Sequence, residues 1–383
     1  MRRGMVRRGK NLTEQKGPSG MNHHLPASSR PTHDETLRYD AAAAREFTTR
    51  LFAAAGMAED KAVVLADVLV EADELGHLTH GLALVPKYLG DIPPGFLATD
   101  GQPEVISDRG ACLAWDAKGL PGAWVVMHAL ETAYERIGQY GTVSIAIAES
   151  HHIGCLAVYP LRAAERGLMA ILHSSAANNA SVAPFGAREG VYSPDPVSAA
   201  WPTTGEPVVL DISASITTAN LSQRMAAEGT RYKHNWLLDA EGNPSNDPAV
   251  LAQGGTILPT GGLDHGQKGY SQALMTEALT QGLSGHGRTK STVGMRAALF
   301  LQVIDPNAFA GLDAFQRETG HLADLCRAAA PRPGMPPVRV PGQRGLAMRR
   351  QAEAEGVPLA ARITGPLTEL GAKHGLSFPK PIG

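Results

Sequence analysis

The apolar residues change their period several times along this chain, and that alternation limits the fold more than any other feature. Over 124–137, Met127, Leu130, Tyr134 and Ile137 recur at helical spacing. Immediately afterwards Val143, Ile145 and Ile147 alternate with smaller residues, the pattern of a strand with one buried face. Residues 161–166 read as a helix that begins after Pro160, and 168–172 and 207–212 read as strands. The spacing predicts a long helix over 268–283, with Tyr270, Leu274, Ala278 and Leu279 on one face. Strands and helices in this order predict an α/β layer structure.

The flanks are more helical. Phe47 and Leu51 share a face before Gly56, and Val64, Leu65, Val68, Leu69 and Ala72 define a second helix. Gly76 suits the left-handed position that stops such a helix. Helices are expected near 312–327 and 345–355, with a Pro- and Gly-rich loop between them over 331–345. The partition is then a disordered extension over 1–35, a helical part over 36–110, an α/β domain over 111–290 and a helical return over 291–383.

Composition excludes several function classes. A formal net charge of -2 provides no basic field for nucleic acid. No apolar run approaches the roughly 18 residues needed to span a bilayer, so no membrane role is expected. The three cysteines, Cys112, Cys155 and Cys326, form no CxxC pair, which fits a reducing cytoplasm. The dinucleotide fingerprint GxGxxG, the phosphate loop GxxxxGK[ST] and the hydrolase elbow GxSxG are all missing.

Two histidine segments stand out: Gly76-His77-Leu78-Thr79-His80-Gly81 and Ser150-His151-His152-Ile153-Gly154. Imidazole titrates near neutral pH and can give or take a proton. His77 and His80 have HxxH spacing, so a metal pair and a structural or surface role both stay open. His151 and His152 follow a strand and point opposite ways, so at most one faces a common site. Asp211 ends the run Val208-Val209-Leu210, where it can orient a histidine or cap the next element. Lys268-Gly269-Tyr270 opens the predicted helix behind Gly261, Gly262 and Gly266, a place that favours an anionic group.

Taken in order, these pieces resemble the malate/L-lactate dehydrogenase family of the non-Rossmann type. The resemblance spans roughly residues 39–359. It is carried by Glu71-Ala72-Asp73, Thr79-His80-Gly81, Ser150-His151-His152-Ile153-Gly154, Ala183-Pro184-Phe185-Gly186, Asp195-Pro196, Leu210-Asp211-Ile212-Ser213, Lys268-Gly269-Tyr270 and Val340-Pro341-Gly342. Residues 239–248 complete the set.

The resemblance implies a three-layer α/β domain with an unusual mixed sheet, a helical subdomain built from both chain ends, and NAD or NADP bound without the glycine fingerprint. It implies His80 as catalytic proton donor and His152 as a second active-site histidine, with Asp211 and Lys268 in supporting catalytic roles. Cofactor contacts would come from Val208, Asp211, Ser213, Lys268, Gly269, Gly342 and Gln343, with no metal. A small-molecule substrate and a homodimer complete the expectation. Hydride would pass between the nicotinamide and a 2-hydroxy acid/2-oxo acid pair or a related cyclic imine.

The chain departs from the family at several places. The usual Arg four residues after the catalytic histidine is Leu84, which cannot clamp a carboxylate. Lys87, Arg188 and Lys268 are candidate replacements. Thr79, His151 and Asp195 also replace the family's usual Ser, Asn and Asn. The alternative from another class is a metal-dependent hydrolase using His77, His80, His152 and Asp211.

Overall fold

The computed structural model describes residues 36–290 and 293–382. The expected extension over 1–35 lies outside them. Along the chain, strand β1 (Thr36–Tyr39) leads into helices α1 (Ala41–Ala54), α2 (Glu59–Glu74) and α3 (Val85–Asp91). Strands β2 (Glu104–Asp108) and β3 (Cys112–Asp116), helix α4 (Gly122–Tyr140) and strand β4 (Thr142–His151) follow. Next come α5 (Val158–Ala164), β5 (Met169–Ser175), β6 (Val197–Trp201), β7 (Val208–Ile212) and α6 (Ala219–Ala227). Three short strands, β8 (Leu237–Leu238), β9 (Pro244–Ser245) and β10 (Thr256–Ile257), precede α7 (Gly262–His265) and α8 (Gln267–Glu277). The chain finishes with β11 (Arg296–Ile304), α9 (Leu312–Ala328), α10 (Gln343–Glu355), β12 (Val357–Ala360) and α11 (Ala361–Lys373).

The central sheet has seven strands in the order β2-β3-β4-β11-β5-β6-β7. Only β3 and β4 pair in parallel, so the sheet is mixed. Its two faces differ chemically. Val143, Ile145, Ile147, Leu172, Leu299 and Leu301 belong to the main apolar core, together with Ala129 and Leu130 of α4. On the opposite face His173 Nδ1 lies 3.0 Å from Thr276 Oγ1, and Ser175 Oγ lies 2.7 Å from Thr280 Oγ1. Helix α8 and the π-helical turn that extends it over Ala278–Gly282 cover that polar face, which makes a three-layer α/β arrangement.

Both chain ends build the helical part. β1 pairs antiparallel with β12, so Thr36 meets Ala360 and Tyr39 meets Val357. Leu65, Val68, Leu69 and Ala72 of α2 are fully buried. Burying each of the larger of these side chains contributes about 1.5–3 kcal/mol. The polar edge of α2 is fastened by arginines from three other helices. Arg45 reaches Asp67 and Glu74, each at 2.8 Å, Arg162 reaches Asp67 at 2.7 Å and also pairs with Glu71, and Arg349 reaches Glu71 at 3.7 Å.

Three expectations change. β11 lies within 291–383, the segment read as a helical return, yet it occupies the centre of the sheet between β4 and β5. Pro160 lies inside the first turn of α5 rather than ahead of it, where its missing N–H had no intrahelical partner. The buried face of α8 is Gly269, Ala273 and Thr276, continuing to Thr280, while Leu274 is 51% exposed. The sheet surface beneath α8 is hydroxyl- and imidazole-bearing, so an apolar count selects the wrong face. No helix among the described residues is long and apolar enough to cross a membrane.

Candidate active site

The site begins at the end of α2. Gly76 (φ 82°) stops the helix, with Gly76 N–H donating to the Asp73 carbonyl at 2.9 Å and His77 N–H to the Ala72 carbonyl at 2.8 Å. This pair of bonds is the Schellman arrangement expected of a glycine at that position. A tight turn follows, closed by His80 N–H on the His77 carbonyl at 2.8 Å. The HxxH segment is therefore a turn, and its two rings go to different places.

His80 turns toward the second histidine segment. Its ring stacks on His152 with centroids 6.0 Å apart and planes 26° from parallel. Thr79 Oγ1 lies 2.9 Å from His80 Nδ1, which leaves Nε2 to exchange a proton. The backbone around this pair is closely fitted. A Cβ on Gly154 would lie 3.2 Å from the His80 carbonyl oxygen, and one on Gly81 would lie 2.3 Å from Asp73 Oδ1. Asp73 is completely buried, and its Oδ2 accepts the Leu82 N–H at 2.8 Å.

His152 is oriented by Tyr88 of α3, a partner that sequence reasoning missed. The Tyr88 hydroxyl lies 2.7 Å from His152 Nδ1, and Gly154 N–H donates to the same nitrogen at 3.3 Å. Burial and the Asp91 charge hold the Tyr88 phenol protonated. Nδ1 is thus an acceptor, and the network assigns the proton of neutral His152 to Nε2. His151 points the other way, with Nε2 3.1 Å from Asp91 Oδ2. Asp91 also holds Lys87.

Burial depresses all three imidazoles, His80 and His151 to about 4 and His152 to about 3. His80, expected as a resident proton donor, is therefore neutral at pH 7. Burial acts oppositely on acids. It pushes Asp73 up to about 8, and with the Glu277 charge it pushes Asp195 up to about 8. Asp195 has φ 45°, a conformation that suits Asn, and protonation gives its carboxyl an amide-like form.

The linkage to stability has two signs. The unfolded chain binds more protons than the folded one where histidine pKa values are lowered, so stability falls as pH drops from about 6.5 through 4. Raised carboxyls do the reverse, and their stabilisation is lost as pH rises toward 8. Between pH 6.5 and 8 the raised carboxyls of Asp73 and Asp195 act in this direction. Unfolding free energy is expected to fall there, by up to about 1.4 kcal/mol per pH unit for each group. Denaturant melts of Asp73→Asn should show a shallower slope than wild type over this window. Identical slopes would remove Asp73 from the account.

His77 faces a separate cleft of about 800 Å³, bounded by the end of α2, by β7 and by the loop over 330–342. Val209 and Asp211 lie on its wall, as does Gly342, whose Cβ would meet Val209 Cβ at 2.8 Å. Val208 points away into an apolar cluster with Ala323 and Val340. Gln343 Oε1 accepts the Val340 N–H at 3.2 Å and fixes the turn into α10. Asp211 Oδ2 accepts the Ala157 N–H at 3.1 Å and lies 4.0 Å from Cys155 Sγ. Burial raises the Asp211 pKa, opposed by His77. Thr260 joins the remaining cofactor candidates, since its Oγ1 donates to the Ser213 carbonyl at 3.0 Å and its carbonyl accepts Gly269 N–H at 3.1 Å. Lys268 itself is exposed on the first turn of α8.

The four ligands of the hydrolase alternative do not converge. Among the described residues, the one group of three or more His, Cys or carboxylate side chains whose ligand atoms all lie within 4.8 Å of one another is His77, Cys155 and Asp211, which excludes His80 and His152. The residue at the expected arginine position, Leu84, is buried in the main core. Of the proposed replacements, Lys87 is engaged by Asp91 and Arg188 by Glu189 at 3.6 Å.

The cleft has the size and lining of a small-molecule or cofactor site. Its size is in the range of cofactor sites, its wall is mostly apolar, and Arg332, Arg339 and Arg344 line it. None of these arginines has a carboxylate partner among the described residues, so their charge is available for phosphate.

Comparison with known proteins identifies the family. A family profile described as malate/L-lactate dehydrogenase matches residues 39–368. L-lactate dehydrogenase of Cupriavidus necator is 29% identical over 325 residues, 82% of this chain and 92% of that protein. The (2R)-3-sulfolactate dehydrogenase (NADP(+)) of Chromohalobacter salexigens is 31% identical over 308 residues, covering 78% of this chain and 87% of the other. The crystal structure of delta1-piperideine-2-carboxylate reductase from Pseudomonas syringae superposes with a TM-score of 0.79 at 25% identity, over 88% of this chain and 100% of that one. The hydrolase alternative finds no support among these relatives. The chain belongs to the malate/L-lactate dehydrogenase family of hydroxy-acid oxidoreductases.

Proposed function

We propose that the protein uses NAD or NADP to interconvert a small 2-hydroxy acid and its 2-oxo acid, or a cyclic imine and the corresponding amine. The observation that carries this reading is the junction of two parts. The His80–His152 pair adjoins, through Gly154 and Cys155, the Asp211 floor of a cleft lined by three arginines that have no carboxylate partner among the described residues. When bound, a nicotinamide supplies or accepts hydride at carbon.

The chain's own residues handle the proton and the orientation. His80, neutral because it is buried, accepts the hydroxyl proton at Nε2 as the alcohol is oxidised. In the reductive direction His80 must first gain a proton, and an anionic substrate beside the ring favours that. His152 presents Nε2–H to the substrate oxygen, with Tyr88 fixing the tautomer. Asp211, oriented by Ala157 N–H, offers its second oxygen to an amide or hydroxyl in the cleft. Arg332, Arg339 and Arg344 hold phosphate.

The test is a panel of 2-oxo acids and cyclic imines assayed by NADH and NADPH absorbance, with nucleotide binding followed by fluorescence. At least one substrate should turn over, and one nucleotide should bind in the micromolar range typical of such enzymes, roughly 1 μM–1 mM. Failure of both nucleotides to bind would overturn the proposal.

A further inference from the structure

We propose that His77, Cys155 and Asp211 form a binding site for a thiophilic divalent cation of the zinc class, and that the loaded site excludes nucleotide from the cleft. The exclusion rests on the cofactor reading above; the cation site does not. The three side chains come from separate elements, namely the turn after α2, the segment between β4 and α5, and β7. One imidazole nitrogen, the thiol sulfur and a carboxylate oxygen all lie within 4.8 Å of one another. Tetrahedral zinc, with bonds of about 2.0–2.3 Å, needs its ligands roughly 3.3–3.7 Å apart. Cys155 Sγ and Asp211 Oδ2 are already at 4.0 Å, so small side-chain rotations complete the set.

The donor chemistry points the same way. Imidazole, thiolate and carboxylate together suit zinc or cobalt rather than magnesium or calcium. One ligand, Asp211, is held from behind, as metal ligands commonly are, and the His77 turn is fixed at its backbone. The His77 backbone is fixed on the Ala72 carbonyl, and the Asp211 carboxylate is fixed by Ala157 N–H. Cys155 is buried while His77 and Asp211 line the cleft, so a cation entering from the cleft meets two ligands first. Coordination expels the thiol proton, which leaves through the cleft to solvent, and the thiolate becomes a ligand. Three protein ligands leave one position open toward the cleft, as in sites that keep a water. The ion then occupies the Asp211 carboxylate and the space beside Val209, both of which the nucleotide needs.

Cobalt(II) provides a spectroscopic test independent of turnover. The full chain carrying Cys112→Ser and Cys326→Ser removes the exposed thiols. Titration should produce a thiolate-to-cobalt charge-transfer band and four-coordinate ligand-field bands, saturating at one cobalt per chain and bleached by zinc. Adding Cys155→Ala should abolish the charge-transfer band. His77→Ala, at a part-exposed position outside the core, should weaken cobalt binding about tenfold or more, and it serves if the buried Cys155 variant folds poorly. No band, or a band undiminished in both variants, would overturn the site. NADH or NADPH should displace cobalt. A nucleotide that binds by fluorescence yet leaves the cobalt spectrum unchanged would overturn the exclusion. A cobalt site on a chain that binds neither nucleotide would support the cation site and sink the cofactor reading.

Discussion

Replacing His80 with Gln is expected to lower kcat by about 10²–10⁴-fold, the range of a lost general acid–base. Nucleotide affinity should change little, because His77 and not His80 lines the 800 Å³ cleft. Steady-state kinetics with a fluorescence titration of NADH separates the two effects. A variant with wild-type kcat would end the assignment of proton transfer to this ring. The burial of His80 adds a second signature. Oxidation requires the neutral ring, and its pKa is about 4, so the acid limb of kcat/KM that it governs should lie near pH 4 and not near 6.5. A limb at 6.5 would mean that the ring is solvated in the working enzyme.

Gly81→Ala should be among the most damaging single-methyl changes in the protein. Its Cβ would fall 2.3 Å from the Oδ1 of Asp73, a side chain with no exposed surface to retreat to. Overpacking of this kind costs typically 1–3 kcal/mol. Displacing Asp73 also strands the Leu82 N–H that it accepts, for roughly another 1–3 kcal/mol. His80 is the neighbouring residue, so activity should fall at least tenfold even at temperatures where the variant stays folded. Combining Gly81→Ala with Asp73→Ser makes room and should recover part of the stability, a non-additivity that a double-mutant cycle measures. Simple addition of the two penalties would show that the glycine is required for some other reason.

The layered fold was legible because apolar periodicity is strong where a segment faces a dry core. The α2 and α4 patterns and the strand at Val143, Ile145 and Ile147 sit where their spacing predicts. The buried face of α8 was illegible for the opposite reason. Its partners are Thr276 against His173 and Thr280 against Ser175, and polar pairing leaves no hydrophobic signature. Strand β11 was missed because Ala297, Leu299, Leu301 and Val303 sit between two loops, in a stretch read as helical by its neighbours.

The site was legible in part. The histidine segments announced themselves by their glycines, and those glycines prove to be contact points, Gly81 on Asp73 and Gly154 on His80. The opposed directions of His151 and His152 followed from strand geometry. Tyr88, Cys155 and the cleft arginines gave no local signal. Tyr88 acquires its role from the meeting of α3 with the end of β4, Cys155 from its distance to Asp211, and the arginines from the loop over 330–342 and the start of α10, which come back against β7.

The place of β11 governs how the protein can be made. β4 and β5 touch no strand in common except β11, which is encoded more than a hundred residues downstream of both. A nascent chain can assemble β2, β3 and β4 as one ribbon and β5, β6 and β7 as another, each with an open edge. The ribbons cannot be stitched until residue 304 has left the ribosome. Closure of such long loops slows folding and leaves strand edges open to misassembly while the synthesis of residues 176–304 is completed.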